Sequence, residues 1–288
     1  MKVAPPTRSL SWLIALIPLI ALVVFFVMPM AYMGMVSVFK NDPVAFFKPA
    51  FVLDNYAKFF APFYLTVSLR SFVQAGLGAG IVTLLGFLTV LFVSDQSRWL
   101  RRLWVLLLLS MLCLSEVILA FSLLILSSQS SGIPKLLGWL NLWDTPRSLY
   151  PSFGAMMAGY VMLGFSIAAL MLFPQISRRD RSIEEAAQGL GTPPAMLFVR
   201  VTLPMFRTAL VAAFLTLFIY FLGVFVMPTM LGGPQNWNMT VIIQDRAVER
   251  FNMPLGAALS MIMLTVTAAL IGGIAWLNRQ QDEAEDRV

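Results

Sequence analysis

The segment at residues 174–204 reads PQISRRDRSIEEAAQGLGTPPAMLFVRVTLP, and it separates two long apolar stretches. Ser182 and Glu185 have the spacing of a capping box, which predicts that a short helix begins at Ser182. A glutamate near the first turn also suits the positive end of the helix dipole. Gly191 lies where such a helix ends in a left-handed residue, so the first helix is predicted to stop there.

A second short helix is predicted after this glycine turn. Thr192 can cap its first turn, and Pro193 suits its first helical position. The helix is predicted to end before Pro204. A rigid helix pair that is held at both ends by membrane helices can transmit a push and fits a groove on a partner protein. The same pattern also suits an amphipathic loop that lies on the membrane without a partner.

The composition places the rest of the chain in a lipid bilayer. Of its 288 residues, 59% are hydrophobic and 12% are charged. An ordinary soluble domain is about half apolar and about a quarter charged. One core could not hide this much apolar surface, which excludes a soluble, disordered or fibrous protein. The net charge of +6 needs no nucleic acid to explain it, because membrane proteins collect Lys and Arg on cytoplasmic loops.

Six apolar stretches are long enough to cross the hydrocarbon layer, since about 20 helical residues span about 30 Å. They lie near 12–39, 67–93, 103–127, 153–173, 207–230 and 255–277. The sequence thus predicts an all-α integral membrane protein with six transmembrane helices, a single domain over 1–288, and an internal loop at 174–206.

The first stretch contains Pro18 and Pro29, which predict a tilted or kinked helix. Lys2 and Arg8 precede it, as in a signal peptide. The apolar run exceeds a usual signal sequence, and no clear cleavage site follows it, so we expect an uncleaved span.

Lys and Arg are unevenly divided between the two sets of loops. Twelve lie in the N-terminal segment, in the loops near 94–102 and 174–207, and in the C-terminal tail, whereas seven lie in the opposite set. Because cytoplasmic loops carry the excess, both termini are predicted to be cytoplasmic. The opposite loops, 40–66, 128–152 and 231–254, are predicted to be lids over helix ends or a docking face for a periplasmic partner.

Several kinds of chemistry are excluded by residue types that are missing. The chain has no histidine and one cysteine, Cys113, which excludes a histidine base, an internal disulfide and a cysteine-rich metal site. It has no G-x-x-x-x-G-K-[ST] loop, so it cannot bind ATP in the P-loop manner. The acidic residues of the internal loops form no catalytic or metal-binding pattern. We therefore expect a chain that is not an enzyme and holds no metal.

Glu116 is the clearest charged residue within a predicted span. It lies about 13 residues into the third stretch, which places it roughly 20 Å from the cytoplasmic end of a straight helix. An isolated carboxylate there costs roughly 2.5–3.5 kcal/mol. Three interpretations stay open: it lines a path for a cation, it pairs with a cation such as Arg70, or it is solvated near the outer interface.

Other polar and aromatic residues in the spans are weaker candidates for the translocation path. They are Gln74, Tyr160, Tyr220, Phe221 and Phe225. Tyr220, Phe221 and Phe225 could form a hydrophobic gate with Phe218 and Met227, whereas helix packing or contact with lipid is the better explanation for any single one of them.

The internal segment resembles the EAA motif of inner-membrane permeases in ABC importers, whose pattern is E-A-A-x3-G-x9-I-x-L-P. Val201 stands where the pattern has Ile. The matching residues are Glu185, Ala186, Ala187, Gly191, Leu203 and Pro204. The stretches LDNYAKFF, VMPTMLGGPQN and MPLGAALSM, which begin at 53, 226 and 253, are most similar to the spermidine/putrescine-type branch.

This resemblance implies the fold of a type I importer permease in the bacterial inner membrane. It implies that the loop is a coupling helix that docks on an ATPase subunit through the residues of the motif. Two ATPase subunits would bind ATP and Mg, so this chain itself would need no cofactor. A second permease, usually a different protein, would complete the path, and a periplasmic binding protein would deliver a polyamine or a similar small organic solute.

Two other classes of membrane protein provide alternatives. A stand-alone secondary transporter would need an ion-coupling site, and the two halves of this sequence show no repeat of the kind common in such transporters. A membrane enzyme would need clustered nucleophiles or metal ligands. Neither class requires the EAA segment.

Overall fold

A computed structural model describes residue 16 and residues 18–42, 44–142 and 147–285. For Arg181 and for residues 275–285 it describes the backbone alone. Most of the described chain is helical. In chain order the long helices are α1 (Pro18–Ser37), α3 (Pro62–Ser94), α4 (Arg98–Leu112), α5 (Glu116–Leu126), α7 (Phe153–Ser177), α10 (Arg207–Gly223) and α13 (Met253–Glu285).

Shorter helices lie between the long ones. They are α2 (Asp54–Phe59), α6 (Ile133–Trp139), α8 (Arg181–Gly189), α9 (Pro194–Met205), α11 (226–232) and α12 (Met239–Gln244). The three loops predicted to be external thus contain regular structure.

One element corrects the all-α prediction. The strands β1 (Lys40–Asp42) and β2 (Phe46–Lys48) form an antiparallel hairpin in which Asp42 is opposite Phe46. The Asp42 carboxylate accepts hydrogen bonds from the Val44 and Ala45 amides at 3.0 and 2.9 Å, and it pairs with Lys48. Together with the hydrogen bond from Lys48, these bonds lower the pKa of Asp42 to about 2. The length of apolar stretches does not predict a local turn of this kind.

The chain divides into two compact units, one formed by the described residues up to Leu65 together with those from Ile242 onward, the other by Thr66–Val241. In the first unit, α13 packs against α1 and α2. Gly34 on α1 faces Met261, whose methyl carbon would lie 3.7 Å from an added Cβ.

The second unit is built around α7, which contacts α4, α5 and α10. Its core contains the stacked rings of Tyr160 and Phe221, which are almost fully buried. Gly78 and Gly164 allow these rings to approach. A Cβ at Gly78 would lie 2.7 Å from Tyr160, and one at Gly164 would lie 2.6 Å from Phe221. Small residues therefore determine how closely α3 and α7 pack here.

Four helices of the described chain are apolar and long enough to cross a membrane by themselves: α1, α3, α7 and the Met253–Ile274 part of α13. Two bent pairs raise the number of spans to as many as six: α4 with α5, at 98°, and α9 with α10, at 71°.

No single unbroken helix covers either of the predicted stretches at 103–127 and 207–230. Between α4 and α5, Ser115 takes an extended conformation at the N-cap of α5. Beyond α10, the backbone is extended at Val224. Both interruptions lie within apolar runs, where hydropathy gives no sign of a helix end.

Candidate functional site

The start of α8 differs from the predicted capping box. The helix begins at Arg181, and its N-cap is Asp180, whose carboxylate accepts a 3.0 Å hydrogen bond from the Ser182 amide. Hydrogen bonds from Ser182 lower the pKa of the Asp180 carboxyl. The predicted reciprocal pair of Ser182 and Glu185 was wrong because an aspartate two residues earlier caps the helix. This leaves the Glu185 side chain exposed.

The turn after α8 agrees with its prediction. Gly191 has a φ of +78°, and an added Cβ there would meet nothing within 4 Å. The need for glycine is therefore conformational and not spatial. The second helix starts one residue later than predicted, with Pro193 at the N-cap and Pro194 as its first residue. It also continues past Pro204 as far as Met205.

A buried arginine attaches the segment that contains α8 and α9 to the end of α3. The Arg179 side chain is 8% exposed, and it bonds Asp95 at 2.8 and 3.1 Å and the Ser94 hydroxyl at 3.2 Å. Its guanidinium also lies 3.5 Å from Glu184, which accepts a 3.2 Å hydrogen bond from Thr202. We call these five residues the Arg179 cluster. It joins the end of α3 to α8 and α9.

The residues of the EAA motif divide between two environments. Glu185, Ala186 and Gly191 are exposed, and Ala187 is partly buried. Leu190 precedes the glycine and is 88% exposed, an unusual position for a large apolar side chain. The last two motif residues lie on α9, where Leu203 is partly buried and Pro204 is exposed. Adjacent glutamates thus differ: Glu184 belongs to the Arg179 cluster, whereas Glu185 faces outward.

A second site is the break between α10 and α11. Backbone groups that a break releases are costly in hydrocarbon unless the protein satisfies them. Thr240 donates to the Leu222 carbonyl at 2.6 Å, and Asn238 donates to the Val224 carbonyl at 2.8 Å. From the other side, the Val226 amide donates to Glu116 at 3.2 Å. Side chains from two other segments therefore stabilise the break.

Glu116 has a structural partner that the sequence did not suggest. It is the first residue of α5 and caps α11 by accepting from Val226. Its depth cannot be counted along a straight helix, because α4 and α5 are bent. Arg70 does not pair with it: the guanidinium donates to the Gln235 carbonyl, and no ion pair joins the two side chains in the described chain. A contact between Glu116 and a solute stays a prediction.

The other path candidates lie around the same break. Gln74 is buried, and its amide donates to the Asn236 carbonyl at 3.0 Å, while its side-chain oxygen has no hydrogen-bond partner among the described residues. Tyr160 stacks on Phe221 with the ring centres 4.6 Å apart.

Exposure separates the aromatic candidates. Tyr160 and Phe221 are buried in helix packing, whereas Tyr220 is 38% exposed and Phe225 is partly buried. Asn238 was not predicted as a site residue, and the NWN sequence in which it is the last residue offered only a weak signal.

Known bacterial permeases are similar to this chain along most of its length. The spermidine/putrescine transport system permease protein PotB of Salmonella typhimurium (strain LT2) is 27% identical over 270 residues, which are 92% of this chain and 94% of that protein. The PotB protein of Escherichia coli (strain K12) is 27% identical over 88% of this chain and 92% of its own length. The putrescine permease PotI of the same strain is 27% identical over 57% of this chain and 54% of its own length. No protein-family model matches the sequence.

The fold is shared with solved ABC transporters. A chain of a bacterial ABC transporter involved in the import of the acidic polysaccharide alginate superposes with a TM-score of 0.78 at 16% identity, over 94% of this chain and 95% of its own. The alginate transporter in complex with a periplasmic protein that carries an alginate pentasaccharide gives a TM-score of 0.71 at 16% identity, over 91% of both chains. The resemblance carried by the EAA motif is confirmed, and the chain is a homologue of ABC importer permeases, similar over most of its length to those of the spermidine/putrescine type.

Proposed function

We propose that this chain is the permease subunit of an ATP-driven importer in the bacterial inner membrane, and that α8 is its docking element for an ATPase subunit. The observation that carries the proposal is the outward Glu185 and Leu190 on a helix that the Arg179 cluster holds in place. An exposed carboxylate on a short helix and an exposed apolar side chain at its end suit a partner groove with an apolar floor and a basic rim.

The proposed mechanism follows from how α8 is attached. Two ATPase subunits would bind ATP and Mg and would push α8 as they close. Because Arg179 bonds Asp95 at the end of α3, and Glu184 accepts from Thr202 on α9, the push would be passed to both helices. Rigid elements joined by hydrogen-bonded side chains move together more readily than elements joined by loops. A second permease would form the other half of the path.

The solute that we propose is a polyamine or a similar small organic amine, delivered by a periplasmic binding protein. Similarity to PotB and PotI supports the polyamine class. Glu116 adds a carboxylate in a partly buried setting next to the helix break, where attraction to an ammonium group is stronger than in water.

The first experiment is gentle co-purification of the tagged chain from native membranes, with mass spectrometry of the bound proteins. We expect a P-loop ATPase and a second permease with an EAA segment. Glu185→Lys should lower ATPase recovery about tenfold or more, since reversing a charge at an interface costs several kcal/mol. Glu249→Lys makes the same charge change at an exposed residue of a loop predicted to be external, and it should recover the ATPase normally.

Two results would contradict this proposal. Repeated recovery of the chain alone would favour a stand-alone secondary transporter. Normal ATPase recovery with Glu185→Lys would be consistent with an importer but would show that α8 is not its docking element.

A further inference from the structure

A groove of about 520 Å³ lies between α4 and α7, next in sequence to the Arg179 cluster but lined by other residues. Its charged part consists of Arg98, Arg101 and Arg102, all in the first turns of α4. Its apolar part consists of Val105 and Leu106, one turn further along α4, with Phe173 on α7. The groove is thus cationic at the start of α4 and apolar one turn further along this helix.

The three arginines occupy positions where a helix disfavours positive charge. The N-terminus of a helix carries a partial positive charge, which stabilises anions and repels cations. The first turn of α4 contains no acidic residue, and Ser97 is its N-cap. Residues at spacings of three and four share a helix face, so the guanidinium groups also repel one another.

No ion pair within the described chain neutralises this group. None of the three arginines forms an ion pair with a described residue, and no acidic side chain is among the described residues that line the groove. Asp95, three residues before α4, is held by Arg179. Excess charge of this kind at a helix N-terminus is a binding site for an anion such as a phosphate ester.

The apolar half of the groove distinguishes a lipid from a free anion. Leu106 is 62% exposed, so the groove is open along its side. Phe173 is supported by Trp104, whose ring centre lies 5.9 Å away. Ser177 on α7 also lines the groove, and its buried hydroxyl oxygen has no hydrogen-bond partner among the described residues. A free phosphate would leave the apolar walls uncovered, whereas an acyl chain would cover them.

We propose that this groove binds an anionic phospholipid, with the phosphate on the three arginines and one acyl chain along Val105, Leu106 and Phe173. The groove lies at the end of α4 that the distribution of Lys and Arg predicts to be cytoplasmic, where anionic headgroups attract basic residues. A lipid held there would neutralise the start of α4 and strengthen its packing on α7.

The test is native mass spectrometry of the full chain in a mild detergent, titrated with dioleoylphosphatidylglycerol and with dioleoylphosphatidylcholine. We expect the anionic lipid to bind at least about tenfold more tightly, since each Arg near an anionic headgroup strengthens binding severalfold. Glycerol 3-phosphate, which carries the phosphate without acyl chains, should fail to displace the lipid at equal concentration.

Three variants, each with three changes, make the test specific. R98Q/R101Q/R102Q should reduce the preference for the anionic lipid to within about twofold, and R98K/R101K/R102K should keep most of it. R147Q/R178Q/R200Q removes the same charge at exposed arginines elsewhere and should keep the preference in full.

Three outcomes would overturn the proposal. The first is an unchanged preference in R98Q/R101Q/R102Q, and the second is an equal loss in R147Q/R178Q/R200Q, which would make the effect one of overall charge. The third is displacement of the lipid by glycerol 3-phosphate, which would make the groove a site for small phosphates.

Discussion

At the scale of single residues, Glu116 combines two properties that one substitution can separate. Its carboxylate accepts a hydrogen bond from the Val226 amide, and it carries the charge that we propose to attract an amine. Glutamine keeps an acceptor oxygen and removes the charge, whereas leucine removes both. The two variants therefore distinguish a structural cap from a contact with the solute.

We predict that Glu116→Gln lowers putrescine uptake about tenfold, because a charge-assisted hydrogen bond is worth roughly 1.5–3 kcal/mol. Thermal unfolding of the purified chain should change little. Glu116→Leu should destabilise the chain by about 1–3 kcal/mol, since the Val226 amide would lose its partner. Uptake by cells and thermal unfolding in detergent measure the two effects. Normal uptake with Glu116→Gln would show that Glu116 does not contact the solute and serves only as a cap for α11.

Gly191 offers a second prediction at this scale. Asn adopts the left-handed conformation more readily than other residues, whereas a β-branched residue resists it. We expect Gly191→Val to destabilise the α8 turn by about 1–2 kcal/mol and to reduce ATPase recovery, and Gly191→Asn to have a small effect. No atom of the described residues lies within 4 Å of an added Cβ, so the Cβ itself would meet no steric clash there. Equal recovery with Val and Asn would show that the turn tolerates other conformations.

At the scale of elements, the Arg179 cluster determines whether α8 moves with the helices around it. Asp95 lies on one side of Arg179 and Glu184 on the other, so the arginine compensates two carboxylates. Removing it would leave these acids without their common partner and would loosen α8 from the end of α3. Docking and transmission of movement are thus carried by different residues of one short segment.

We predict that Arg179→Gln separates binding of the ATPase from transport. The ATPase should still co-purify, because the exposed face of α8 is unchanged, whereas uptake should fall and ATP hydrolysis should become less dependent on the solute. The double variant with Asp95→Asn gives a double-mutant cycle, in which we expect a coupling of about 0.5–3 kcal/mol in thermal stability. Loss of ATPase binding in Arg179→Gln would mean that the cluster serves docking itself.

At the scale of the whole molecule, the same fold serves chemically different solutes. The alginate transporter imports an acidic polysaccharide, and the PotB and PotI proteins belong to polyamine systems. The fold therefore does not by itself identify the solute, which depends on the chemistry of local sites.

The orientation in the membrane gives a prediction at this scale. The chain has one cysteine, so Cys113→Ser provides a cysteine-free background. Leu190 and Trp139 are 88% and 86% exposed and lie on loops predicted to be on opposite sides. In intact spheroplasts, a membrane-impermeant maleimide should label Trp139→Cys and should label Leu190→Cys only after lysis. The reverse pattern would invert the predicted topology.

The sequence by itself determined the features that depend on neighbouring residues: apolar stretches of membrane length, the left-handed Gly191, and the EAA motif. The tertiary structure alone decided which distant residues meet. Arg179 meets Asp95 across 84 residues, and Glu116 caps Val226 across 110. The two helix breaks were missed because hydropathy counts apolar length, whereas a break in hydrocarbon persists only where distant side chains satisfy the released backbone groups.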